Sequence, residues 1–229
     1  MAAFTADRLL MLAACVLLAV APGCATESHR RVIPDTVESR GTAYAGPRYT
    51  LVVGNFQNRS TYMQGLFSDG TDRLGSQAKT ALKAHLQQTG RFTVVDRESL
   101  ADLEREARLA GREQKIKGAD VAVTGDVTEF GRKETGDVQL FGILGSGRRQ
   151  TAYAKVTLNI VDVADSTIVY SVQGAGEYAL SDREVIGFGG TAGYDATLNG
   201  KVLDLAIREA ANRLVEGLEA GAWSPTRQR

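Results

Sequence analysis

The thiol of Cys24 ends the stretch Ala21-Pro22-Gly23-Cys24, directly behind an apolar run from Leu9 to Val20 that Arg8 and the terminal amine precede. Such a run is shorter than the roughly 20 residues that a membrane-spanning helix needs, and it fits the core of a secretory signal. A small residue followed by cysteine at this point is the pattern of a bacterial lipoprotein signal. In that pattern the cysteine is lipidated and becomes the first residue of the mature chain. Everything downstream is then expected outside the cytoplasm, tethered to a membrane. Ala25 stands where an aspartate commonly retains lipoproteins at the inner membrane. The expected location is therefore the periplasmic face of the outer membrane.

No other residues have a spacing that specifies chemistry. The two cysteines are Cys15, inside the signal core, and Cys24, so the mature chain has no internal disulfide to form. The two histidines, His29 and His85, lack partners at metal-ligand spacing, and no metal site is expected. Asp162, Asp195 and Asp204 read as caps, turns and solvated faces. Gly187 to Gly193 resembles a dinucleotide loop, but its third glycine comes one residue late and no buried strand precedes it. Gly142 to Gly147 fails likewise. There is no P-loop, and no serine sits in a nucleophile elbow. Neither an enzyme nor a cofactor is expected. With 27 basic against 27 acidic residues, no net field favours nucleic acid as a partner.

Around these residues the hydrophobic periodicity predicts one domain of the α/β class, a mixed sheet flanked by helices. Residues 1–23 are read as the signal, 24–47 as a polar linker, 48–221 as the domain and 222–229 as a tail. Within the domain, strands are expected at Arg48 to Phe56, Phe92 to Val95, from Val121, at Tyr153 to Val163 and at Thr167 to Gln173. Helices are expected at Ser76 to Thr89, after Asp96 or Ser99, and from about Thr197 to Glu219. Leu100, Leu103 and Ala107 form the stripe of the second helix. Leu82, Leu103, Val123, Leu158 and Leu214 are expected in one buried cluster.

Two Gly-rich segments do not fit this domain. Residues 131–150 interrupt two core strands, and residues 174–194 separate a core strand from the last helix. Long insertions of this kind are usually functional. Each is long enough for two tilted strands, so each is expected to form a projecting β-hairpin. Val138, Leu140, Phe141, Ile143 and Leu144 on the first, with Val185, Ile186 and Phe188 on the second, are the candidates for contact with lipid or neighbouring subunits.

Several residues together resemble a known family. Arg91-Phe92, then Val94-Val95-Asp96-Arg97 and Leu100…Leu103, is similar to the strand and (E/D)R-x-x-L-x-x-L helix of the CsgG/HfaB family. Gly118-Ala119-Asp120-Val121 with Gly125, the run Val156 to Val163 followed by Thr167-Ile168, and the Ala206 to Ala210 helix resemble its later elements in order. The resemblance covers about Tyr49 to Gly217. It implies an outer-membrane lipoprotein whose copies form a ring, each giving two hairpins to a shared transmembrane β-barrel for secretion or surface attachment. The family's constriction pattern, Tyr-x-x-x-Asn-Phe, has no counterpart in Leu66 to Thr71, and Tyr62, Leu66 and Phe67 are the candidates to replace it.

Two functions follow. The first is an oligomeric outer-membrane lipoprotein that forms or supports a secretion or surface-assembly channel, with secreted subunits or envelope accessory proteins as partners. The second is a monomeric periplasmic lipoprotein that binds and regulates an envelope partner such as a peptidoglycan synthase.

Overall fold

Asp72 sits where the first strand hands over to the first helix, and it holds both. Its carboxylate accepts the Asn58 amide at 2.7 Å and the Gly75 amide at 2.7 Å, so it caps the helix while closing the strand. The computed structural model describes residues 33–62, 71–138, 146–184 and 198–226. The elements run β1 (Tyr49–Asn58), α1 (Arg73–Gln88), β2 (Phe92–Val95), α2 (Leu100–Leu109), β3 (Val121–Val138), β4 (Ser146–Asp162), β5 (Ile168–Glu184) and α3 (Leu198–Glu219). The cap explains why α1 starts three residues before the expected Ser76. Gly90, in the left-handed region at φ +67°, follows the C-terminal cap Thr89 and ends that helix.

The five strands form one mixed sheet in the order β2-β1-β3-β4-β5. β1 pairs in parallel with β2 and with β3, while β3–β4 and β4–β5 are antiparallel. Period-two alternation sends Leu51, Val53, Val121, Val123, Val127, Val156, Leu158 and Ile160 to one buried face. α1 and α3 cover that face with Ala78, Leu82, Leu86, Val202, Leu203, Ile207 and Leu214. The expected α/β architecture is thus present, among the described residues, as a five-stranded sheet with three helices. A barrel shared between copies is not shown by this single chain.

α3 lies unusually close to β5. A side chain on Gly174 would collide with the Ala206 carbonyl oxygen and the Ala210 amide nitrogen. Gly176 sits against the Val202 carbonyl, with space for a Cβ only 3.0 Å away from it. The β4 residues paired with these glycines are Val156 and Ala154. Small residues on β5, with Ala206 and Ala210 on α3, let the helix seat on the sheet's backbone.

Several expectations need correction. Leu103 is not in the core: it is 46 % exposed, and α2 has no buried residue. The stripe is real, but α1 and α3 already fill the layer expected to hold it. The domain also begins earlier and ends later than 48–221. Val37 is buried, so the second half of the linker belongs to the fold, which starts at Thr36. Trp223, expected in a tail, stacks on Phe92 and Tyr170 with ring centres 6.3 and 6.2 Å away. Its indole Nε1 donates to the Leu214 carbonyl at 3.4 Å.

The insertions do not stand apart from the core either. Residues 131–138 and 146–150 are an antiparallel pair, as expected of a hairpin, but they prolong β3 and β4 without a break from Gly131↔Tyr153 to Val138↔Ser146. Residues 174–184 continue β5 along β4; the rest of the expected second hairpin, 185–194, lies outside the described residues.

Chemical denaturation should separate these positions. Leu158→Ala should lower stability by about 2–5 kcal/mol. Leu103→Ala should change it by no more than about 0.5 kcal/mol. Gly174→Ala should be more damaging than Leu103→Ala, because its methyl group meets backbone atoms that cannot move aside.

Candidate functional site: an N-terminal clasp and a three-stranded β-arm

Arg91 follows the Thr89-Gly90 turn, one residue before β2, and its guanidinium is driven inward, 4 % exposed. A buried charge must find partners, and this one finds them on three separate parts of the chain. Nε donates to Glu219 Oε1 at 2.8 Å and Nη2 approaches the same oxygen at 2.6 Å. Nη1 donates to the carbonyls of Thr89 at 2.9 Å, Ser39 at 3.2 Å and Thr42 at 3.2 Å. Nη2 also reaches the Thr42 hydroxyl at 2.7 Å, and the Tyr44 ring lies 4.9 Å from the guanidinium carbon. Further along α3, Asn212 Oδ1 accepts the Glu38 amide at 3.1 Å. The segment that leads in from Cys24 is therefore clamped between the end of α1 and α3. A cleft of about 730 Å³ opens beside it, bounded by Glu38, Tyr44, Arg91, Asn212, Glu216 and Glu219. Arg91, the cation that lines it, is committed to protein oxygens.

Asp162 is a second anchor. Its carboxylate accepts the Thr226 amide at 2.6 Å and the Ala164 amide at 2.8 Å. The Thr226 amide, followed by that of Ala164, holds its carboxyl below the usual carboxylate range. It thus ties the C-terminal segment to the β4–β5 turn.

Beyond these anchors, β3, β4 and β5 run on together as an arm. Its base is fixed by Tyr62. The Tyr62 ring packs against Phe130 with centres 4.7 Å apart, and its hydroxyl accepts Asn199 Nδ2 at 2.6 Å. This candidate pore residue is thus a strut between β1, β3 and the start of α3. From Arg132↔Ala152↔Tyr178 out to Val138↔Ser146↔Glu184, the register aligns one residue of each strand per row. Every row contains at least one ionisable residue: Arg132, Lys133, Glu134, Arg149, Arg148 with Asp182, Asp137 with Arg183, and Glu184 in turn. Both alternating sets along the arm therefore carry charge. Val138 ends the described part of β3. Cys24, Leu66, Phe67, Leu140, Phe141, Ile143, Leu144, Val185, Ile186 and Phe188 lie outside the described residues.

Among the described residues there is no catalytic constellation that sequence reasoning overlooked. His85 is buried between α1 and α3, with Nε2 2.8 Å from Asp204 Oδ1, and no hydroxyl or thiol joins the pair. Among the described residues no three His, Cys, Asp or Glu side chains gather as a metal site. Arg91 and Asp162 were missed as anchors because their partners lie far away in sequence. The signals available were slight: an arginine opening a core strand, and an aspartate ending one.

The family described as "Curli production assembly/transport component CsgG" matches residues 37–228. The chain belongs to the CsgG family. Its match begins at the buried Val37, one residue before the clasp. A Neisseria meningitidis serogroup B protein, "Putative lipoprotein NMB1126/NMB1164", is 63 % identical over 205 residues, covering 90 % of this chain and 92 % of that one. Similar solved structures include a PelC L103M dodecamer from Paraburkholderia phytofirmans, at 17 % identity and TM-score 0.35 over 75 % of this chain and 92 % of that one. Lipoprotein GNA1162 from Neisseria meningitidis is 16 % identical, with TM-score 0.35 over 76 % and 97 %. The LpoB C-terminal domain from Salmonella enterica is 16 % identical, with TM-score 0.31 over 60 % and 87 %. At these scores the solved structures carry no functional argument; the CsgG assignment rests on the family match and the Neisseria relative.

Arg91→Ala should destabilise the domain by at least about 2 kcal/mol, towards the 3–5 kcal/mol of a fully buried pair, since Glu219 reaches solvent. Limited proteolysis should then cut within residues 38–47, and Arg91→Lys should restore little, because an ammonium lacks the planar fork. Asp162→Asn gives a pH test. A carboxylate with a lowered folded pKa contributes stability above its unfolded value of about 3.9 and loses that contribution as pH falls through the folded value. The stability gap between wild type and Asp162→Asn, measured by urea unfolding, should therefore be largest at neutral pH and shrink below about pH 4.

Proposed function

We propose that this CsgG-family chain is a lipoprotein anchored through Cys24 to the periplasmic face of the outer membrane. Its copies assemble side by side through the β-arm to form or support a secretion or surface-assembly channel. The observation that carries this reading is the arm itself. Three adjacent strands run on together past the Tyr62 strut, and from Arg132 to Val138 they rise by about 20 Å at ~3.3 Å per residue. A structure of that reach, built on a rigid base, is an assembly element and not a loop that covers its own sheet. The N-terminal clasp supports the same reading, because it fixes the point at which the lipid tether meets the domain.

The charge along the arm limits where it works. Arginine or lysine facing lipid at the bilayer centre costs roughly 2–4 kcal/mol each in a β-barrel. The charged side chains of the described rows belong in water or facing a lumen. Contact with lipid falls to the apolar residues at and beyond the outermost row, Val138, Leu140, Phe141, Ile143 and Leu144 with Val185, Ile186 and Phe188. The same charge favours a second reading, in which the arm stays wholly in the periplasm and a single copy engages an envelope partner such as a peptidoglycan synthase.

Two measurements decide. Wild type should fractionate with the outer membrane and Cys24→Ala should not; unchanged fractionation overturns the anchor. In mild detergent the lipoprotein should run as a ring many times the monomer mass and give conductance in planar bilayers. A ring without conductance would favour a supporting role, and a monomer without conductance would favour the partner-binding reading.

A further inference from the structure

The cleft beside the N-terminal clasp carries more negative charge than its own cation can answer. Glu216 and Glu219 stand in the last turn of α3, where no basic residue accompanies them. Carboxylates there meet the negative end of the helix dipole and, three residues apart, repel each other. Arg91 answers Glu219. Glu38 and Glu216, both exposed at the rim, have no ion-pair partner among the described residues. The three carboxylates do not converge as a metal site. The wall behind them holds the opposite kind of group. Asn212 is 9 % exposed, and its Oδ1 is fixed as the acceptor of the Glu38 amide. The NH₂ of Asn212 is thereby left to the cleft that the residue lines, and it donates to nothing among the described residues. The Ser39 hydroxyl in the same wall is also without a partner. Unpaired carboxylates and unmade donors both destabilise a fold, and one ligand satisfies both.

We infer that this cleft binds a primary ammonium carried by a peptide, as on a lysine-like side chain. Asn212 and Glu216 are one turn apart on α3, about 6 Å between their Cβ atoms. A lysine residue separates its backbone carbonyl from its ammonium by a four-carbon stem of similar reach. The carbonyl accepts from the Asn212 NH₂, and the ammonium donates to Glu216 and Glu38. Ala45 and Pro47 supply apolar lining for the stem. The volume, about 730 Å³, lies within the range of about 300–1,000 Å³ usual for small-ligand clefts. The inference goes beyond the assembly reading and does not rest on it. Asn199, which braces the base of the arm, and Glu219 are separated by about 30 Å along α3.

The test uses the full-length lipoprotein in mild detergent at constant ionic strength, with binding read as a saturable rise in melting temperature. Nα-acetyl-lysine methylamide should give that rise. Nα-acetyl-norleucine methylamide, which has no ammonium, should not. Pentylamine, which has no carbonyl, should bind about fivefold more weakly, the loss of one neutral hydrogen bond. Glu216→Gln should weaken binding of the lysine amide about tenfold or more. Without ligand it should melt no lower than wild type, because it removes a repulsion at the helix end. Equal responses to the lysine and norleucine amides, or from wild type and Glu216→Gln, overturn the inference, as does no response at any concentration. Pentylamine binding as tightly as the lysine amide overturns the peptide assignment. Binding by a protein that proves monomeric supports this site while the assembly reading falls, so the two failures are distinguishable.

Discussion

The seat of α3 on Gly174 and Gly176 is the contact on which the rest of the structure depends. It sets the depth of the helix over β4 and β5, and with it the burial of Val202, Ala206 and Ala210. α1 packs beside α3 at that depth, joined by the His85–Asp204 pair. The far end of α3 then brings Asn212 and Glu219 to the level of the N-terminal segment, where they complete the clasp with Arg91. A methyl group at position 174 would lift the helix off the sheet and move every one of these partners outward together.

Much of this fold was legible in the sequence, and the parts that were not share a cause. Alternation located β1, β2 and the core of β4, because each has one buried face and a period-two pattern records that directly. Leu82, Leu158 and Leu214 fell where their spacing placed them. Leu103 did not, because an amphipathic stripe says that a helix wants an apolar partner and is silent on whether the partner lies in the same chain. Trp223 and Val37 were missed for a different reason: isolated apolar residues in polar stretches have no period. The arm was partly visible, as glycine-rich segments of the right length. Its continuity with the core of β5 was hidden because Gly174 and Gly176 read as insertion residues, although they pack beneath α3.

Membership of the CsgG family and the charge on the arm pull against each other in an informative way. A strand that crosses lipid needs one alternating set that is apolar over its whole length. The described arm has no such set. Its rows instead carry ionisable residues throughout, with Arg148 and Asp182 in register on neighbouring strands. A sequence of that kind suits strands that meet water or one another.

The clasp also orders events in time. Its first members are residues 38–44 and Arg91, but the acceptors Asn212 and Glu219 stand near the end of the domain and are synthesised last. Residues 38–44 are made first and wait without their partners. The domain cannot lock around its own entry segment until α3 has followed, so closure of the clasp is a late event in folding.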